Sequence, residues 1–230
     1  LLDKLGKPLR NGIQSMDSRA ANVVACWEQQ GLHAKTFPLS IQSYWPAQPN
    51  ALLAWLKENE PGNYERVAAI LMVKDYIKYR LTGEITGDYT DMSGANLMDV
   101  RKKVYSRELL EFYGIPEVYD ALPPLKQSSE VAGQVSAAAA EQTGLAVGTP
   151  VVGGLFDVDA SAIGSGVVHT NQACVVMGSW SINEVITTEP IMDPDIFMTT
   201  IFADPEFFIT IEGSATSATN LEWFVNQCCG

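Results

Sequence analysis

Residues Thr149 to Ala162 read Thr-Pro-Val-Val-Gly-Gly-Leu-Phe-Asp-Val-Asp-Ala-Ser-Ala. Apolar, β-branched residues run up to a glycine pair, then an aspartate, then small residues suited to a tightly packed helix. That order makes a buried strand stop at the glycines and a helix begin just beyond them. In an open α/β sheet, ligands bind past the carboxyl ends of strands. Asp157 therefore stands where a carboxylate can face a cleft, and it is a candidate general base. The alternative is that it only caps the helix that follows, since Asp is a favoured N-cap.

The rest of the chain narrows the setting. Its 230 residues allow one large domain or one and a part. Hydrophobic residues make up 47% and charged ones 18%, enough apolar surface for a substantial core and too little charge for wholesale disorder. A formal charge of −12 argues against a nucleic-acid partner, which would want a basic face. It does not argue against a phosphorylated ligand, because helix N-termini, backbone N–H groups or a metal ion can hold phosphate. Cys26, Cys174, Cys228 and Cys229 form no C-x-x-C pair. With no signal peptide and no apolar run of membrane length, the chain reads as a reduced, cytoplasmic protein with no membrane partner. His33 and His169 are too far apart in sequence to suggest a His-rich zinc site. The chain opens at Leu1 and stops at Gly230 inside an expected helix, so it reads as a piece of something longer.

Periodicity sets out the elements. Pro8 to Met16 reads as a strand leading to the turn Asp17-Ser18-Arg19, an ion pair or a cap. Ala20, Val23, Val24 and Trp27 share one helix face, and Gly31 ends that helix. Phe37 to Asn50, with three prolines, reads as a loop whose Tyr44-Trp45 could stack on a sugar or be buried. Leu52, Trp55 and Leu56 mark a second helix, and Ala68 to Val73 reads as a buried strand. Lys74 to Leu81 is an expected helix and Asp88 to Asn96 an expected loop. Helices are also expected over 106–113 and 136–143. Beyond Ala162, strands over 173–177, 182–187, 197–202 and 207–212 predict an antiparallel meander, with a domain boundary near Gly166. Leu221, Phe224, Val225 and Cys228 form a helical stripe expected to pack in a core. Helices alternating with strands, then a meander, argue α/β with a mixed sheet.

No G-x-x-x-x-G-K-[ST], G-x-G-x-x-G or G-x-S-x-G is present, so this piece holds no P-loop, a dinucleotide reading is weakened and serine hydrolysis has no anchor. Met177-Gly178-Ser179-Trp180-Ser181 follows an apolar strand. Such a turn either closes a hairpin or presents N–H groups and a hydroxyl to an anion.

Six motifs occur in order: Met16-Asp17-Ser18-Arg19; Lys74-Asp75-Tyr76 with Arg80 to Glu84; Gly87-Asp88-Tyr89-Thr90-Asp91-Met92-Ser93-Gly94; Gly148-Thr149-Pro150-Val151; Gly153-Gly154-Leu155-Phe156-Asp157; and Met177-Gly178-Ser179-Trp180. Together they resemble the FGGY carbohydrate kinases over nearly the whole chain. Residues 153–158 and 220–224 are most similar to the L-xylulose kinase branch. The resemblance implies an actin-like ATPase (ribonuclease H-like) fold, with mixed sheets flanked by helices. It implies that residues 1–166 belong to an N-terminal sugar-binding domain and 167–230 begin a C-terminal nucleotide-binding domain.

It further implies ATP-dependent phosphorylation of a sugar hydroxyl, a ketopentose such as xylulose first, with Mg²⁺ on the phosphates. Asp157 matches the catalytic aspartate, and Gly178 and Ser179 match the second phosphate loop. Tyr44 lies where some members place a sugar-contacting aromatic. A homodimer is compatible with it. The family's Asp-x-Gly-Thr phosphate loop and its adenosine loop are missing here, Gly178-Ser179 replaces the usual Gly-Thr, and Val158 stands where several members carry Asn or Gln. The rival readings are a non-catalytic sugar-binding protein on the same fold, and a kinase for glycerol, another polyol or gluconate. A hydrolase on a related scaffold would need a second carboxylate beside Asp157, a role for which Asp159 sits too close in sequence.

Overall fold

The computed structural model describes residues 1–178, 181–214 and 216–229. Its first half is helical, with α1 (Ala21–Gln29), α2 (His33–Ser40), α3 (Pro49–Asn59), α4 (Pro61–Tyr64), α5 (Val73–Thr82), α6 (Tyr89–Gly94) and α7 (Arg107–Phe112). The short strands β1 (Gly87–Asp88), β2 (Met98–Asp99) and β3 (Val104–Tyr105) lie among the last of these. After a 3-10 turn at Pro116–Ala121 come β4 (Leu125–Lys126), β5 (Val131–Gln134), α8 (Ala137–Thr143), β6 (Pro150–Val152) and α9 (Asp157–Gly164). The chain then passes through β7 (Ala173–Met177), β8 (Ser181–Thr187), β9 (Met198–Ile201) and β10 (Phe208–Ser214) to α10 (Ala218–Cys228).

The four expected strands form one antiparallel sheet, but in the order β7-β8-β10-β9: β10 inserts between β8 and β9, so the sheet is not the simple meander the sequence implies. The other described strands pair two by two: β1 with β4 in parallel, β2 with β3 and β5 with β6 antiparallel. This is the mixed α/β class that the sequence implies. The β9 edge is covered rather than open. Thr199 N donates to Ile41 O at 3.0 Å and Ser43 N to Phe197 O at 2.9 Å, so the unpaired edge that invites aggregation is closed by the chain's own loop. That contact fuses the sheet to the helical layer. Ile201 and Phe208 pack with Trp27, Phe37, Leu53 and Leu110, while Ile186, Ile209 and Ile211 form a second cluster with Ala162 of α9.

Capping decides several boundaries. Ser106 Oγ accepts from Leu109 N and Ser136 Oγ from Ala139 N, starting α7 and α8 where expected. Gly83 and Gly144 end α5 and α8 in the left-handed conformation. Asp17 and Arg19 form an ion pair at 2.8 Å, with the guanidinium over the Trp55 ring.

The structure differs from expectation where a neighbour overrules a local pattern. Pro8 to Met16 and Ala68 to Val73 form no strand; only bridges from Leu2 to Pro8 and Ala69 are made, because an extended run needs a full partner to become a ladder. α2 occupies the start of the expected loop at Phe37, with Pro38 inside it. Asp88 to Asn96 contains α6, since Asp88 Oδ1 accepts from Thr90 N at 2.9 Å and Asp91 N at 3.3 Å and nucleates a turn. α10 forms, but its apolar stripe is not core: Leu221 is 65% exposed and Phe224 50%. Periodicity says which residues share a face, not what covers them.

Candidate functional site

Asp157 is the first residue of α9, and Phe156, not Asp157, is the N-cap. The Asp157 side chain is exposed and has no hydrogen-bond partner among the described residues, so the capping alternative has no contact behind it. Its position is fixed by the turn that precedes it. Gly153 N donates to Glu130 O at 2.9 Å and Gly154 N to Ser128 O at 3.1 Å, locking the glycine pair against the β4–β5 connection. A Cβ on Gly153 would overlap the Gln127 carbonyl oxygen, and Gly154 has φ +92°. Gly153→Ala must move backbone against backbone, and we expect it to destabilise the protein by about 1–3 kcal/mol. Urea unfolding checks this; an unchanged midpoint would mean the turn has room that the geometry denies.

Beneath the turn lies a buried cluster of charge. Lys74 Nζ lies 2.9 Å from Asp75 Oδ1 and 3.2 Å from Asp91 Oδ2, and it also contacts Asp88 Oδ2. Lys78 Nζ donates to Asp75 Oδ1 at 3.0 Å and to the Gly153 carbonyl at 2.8 Å. Asp75 and Asp88 are fully buried and Lys78 nearly so. Burial works against the Lys74 charge, but Asp91, Asp88 and Asp75 outweigh it and raise the pKa. Burial pushes the Asp91 carboxyl up to about 7, with Lys74 pulling the other way. Carboxylate oxygens of Asp75, Asp88 and Asp91 lie within 4.8 Å of one another. Their positive charge is supplied by the lysines, so the cluster is an internal salt-bridge network.

Two more carboxylates lie between α9 and the sheet. Asp159 turns inward: Oδ1 accepts from Ala203 N at 3.0 Å, tying α9 to the β9–β10 turn, and Oδ2 has no partner. Burial raises its pKa well above the ordinary value. It faces away from solvent and does not pair with Asp157 as a second metal-binding carboxylate would. Glu184 of β8 is 1% exposed between Cys174 and Ile211 on the neighbouring strands. Apart from the weak thiol donor of Cys174, neither oxygen has a partner. Burial, with a smaller push from the charge of Asp157, raises Glu184 to about 7.

A carboxyl whose folded pKa is raised holds its proton more tightly folded than unfolded. Its stabilising effect is complete below the unfolded value, about 4, and is lost as pH rises through about 7. Glu184→Gln should therefore raise the urea midpoint at about pH 8 more than at about pH 5. An equal change at both would show that Glu184 does not titrate in this range.

The other expected site residues are scattered. Tyr44 bonds Thr36 through its hydroxyl and packs its ring against Trp27, His33 and Tyr113. Those partners belong to the helical layer, not to the turn that carries Asp157. Gly178 directly follows β7, and its carbonyl accepts from Ala218 N at 3.0 Å, joining the loop to the first residue of α10. Ser179, with Trp180, lies outside the described residues. The sequence did not mark Lys78, Asp88 or Thr90 as site residues; Asp88 and Thr90 lie in the Gly87 motif, and Lys78 lies on the helix between the two parts of the Lys74 motif, so only folding joins them.

The chain is 40% identical over 227 residues to a probable L-xylulose kinase of Haemophilus influenzae, covering 98% of this chain and 47% of that protein. It is 39% identical to the L-xylulose/3-keto-L-gulonate kinase of Escherichia coli, covering 99% and 46%. The chain thus spans about half the length of the curated relatives it matches. The crystal structure of a xylulose kinase from Rhodospirillum rubrum superposes with a TM-score of 0.91 at 26% identity, over 100% of this chain and 46% of the other. That likeness gives the chain the actin-like ATPase fold of the sugar kinases. Residues 1–164 match the N-terminal domain of the FGGY family of carbohydrate kinases, and the chain belongs to that family.

Proposed function

We propose that the full protein containing this chain transfers phosphate from ATP to a sugar hydroxyl, with a ketopentose such as xylulose as acceptor and Asp157 as general base. The observation that carries this reading is the Asp157 carboxylate itself: exposed, unpartnered, and preceded by a glycine turn held by both of its amides. Phosphoryl transfer passes through a loose transition state, so the protein mainly positions reactants and spreads negative charge. Asp157 would accept the hydroxyl proton as the oxygen attacks phosphorus, which requires hydrogen-bond reach to the sugar.

In this reading residues 1–166 belong to the sugar-binding domain, which the family match over 1–164 supports, and 167–230 begin the nucleotide-binding domain. Gly178 and Ser179 would face the ATP phosphates. Tyr44 is left out of this reading, because its ring packs against Trp27, His33 and Tyr113. Mg²⁺ takes oxygen ligands and commonly one or two carboxylates. The carboxylates around Lys74 are already paired, and Asp157 is the base in this reading, so neither is assigned to the ion. When bound, the ion would neutralise charge on the phosphates. No helix among the described residues is long and apolar enough to cross a membrane.

A coupled ADP-release assay on the full gene product, run with ketopentoses, polyols and aldonates, tests the proposal. Sugar-dependent ADP release with a ketopentose is the expected result. Release with glycerol or gluconate alone would reassign the substrate, and sugar binding with no ADP release would make the protein a binder.

A further inference from the structure

Phe156 lies immediately before Asp157, and its backbone N–H donates to Thr90 Oγ1 at 2.7 Å. The same hydroxyl donates its own proton to Asp88 Oδ1. Thr90 is 1% exposed and Asp88 fully buried, so water does not substitute for either bond. Asp88 is in turn held by Lys74. At the other end of the turn, Lys78 reaches the Gly153 carbonyl. Lys74 and Lys78 meet on Asp75 Oδ1, so one buried network grips residues 153 and 156 together.

The direction of each bond matters. A threonine hydroxyl has one proton to give and lone pairs to receive. Here the proton goes to Asp88, which leaves the oxygen to accept from Phe156. Ionised Asp88 enforces this polarity because it can only accept. The arrangement also joins elements distant in sequence: Thr90 and Phe156 are 66 residues apart.

We infer that Thr90 is a positioning residue for the proposed base, its hydroxyl relaying the Asp88 charge to the Phe156 amide and so fixing where α9 begins and where Asp157 points. This rests on Asp157 being the base; Thr90 itself touches no reacting atom. A base displaced by about an ångström can lose about a hundredfold in rate while substrate binding is little changed.

The test uses the full-length protein with Thr90→Val, Thr90→Ser and Asp157→Asn, read by steady-state kinetics and by hydrogen exchange at the Phe156 amide. Thr90→Val should lower kcat about 10–100-fold, with KM for sugar and ATP within about threefold, and speed exchange at the Phe156 amide at least about tenfold. Thr90→Ser keeps the hydroxyl and should restore both. If Thr90→Val does not fold, Thr90→Ala is read in the same way. Near-normal kcat in the hydroxyl-less variant, beside a strongly impaired Asp157→Asn, would overturn the inference and leave the base assignment standing. Unchanged exchange at Phe156 would overturn it as well. Asp157→Asn with normal turnover would remove the base assignment and this inference with it.

Discussion

Asp157→Asn in the full-length protein is expected to lower kcat by about 10²–10⁴-fold, the usual contribution of a positioned general base. The amide matches the carboxylate in size but cannot take the sugar's proton at neutral pH. Little stability should be lost, because the side chain is exposed and caps nothing. KM for the sugar should change less than kcat, since proton removal belongs to the transition state and not to the bound ground state. Stopped-assay kinetics beside a urea melt separate the two effects. Turnover within a few-fold of wild type would leave the exposed carboxylate without a catalytic role.

The largest loss of stability is expected from Lys78→Met. The ammonium is 4% exposed and bonds a fully buried carboxylate and a buried turn carbonyl. Removing one partner of a buried pair costs about 3–5 kcal/mol, because the other charge is left uncompensated. Lys74 remains on the same Asp75 oxygen, which places the expected cost near about 3 kcal/mol, the lower end of that range. Lys102→Met supplies the contrast. Its pair with Asp99 has a lysine 73% exposed, and exposed pairs of this kind contribute about 0–1 kcal/mol. Equal losses for the two variants in urea unfolding would mean that the interior cluster is far better solvated than its burial implies.

Reading and structure part company over particular residues. The strands β7 to β10 were legible because turn spacing is local, but their order was not: β8 pairs with β10 rather than with β9, the next strand in the chain. α7 and α8 were legible because Ser106 and Ser136 announce their starts. The strands expected at Pro8 to Met16 and Ala68 to Val73 were not realised, since a strand exists only if another chain segment offers its edge. α6 was hidden inside a polar stretch: Ser, Thr, Asp and Gly look like a loop until Asp88 is seen capping them. Lys74 and Lys78 lie on a helix that the sequence predicts, but that they share a buried carboxylate, Asp75, emerges only in the fold.

The sequence by itself determined the family, the α/β class and the aspartate at the head of α9, because motif order, period and the glycine pair are properties of neighbouring residues. Only the tertiary structure decided that Asp157 is free rather than a cap, that Asp159 points inward, and that Thr90 and Lys78 grip the turn from 66 and 75 residues away. The physical reason is that burial and long-range hydrogen bonds depend on which segments meet, and a string of residues carries no distances between them.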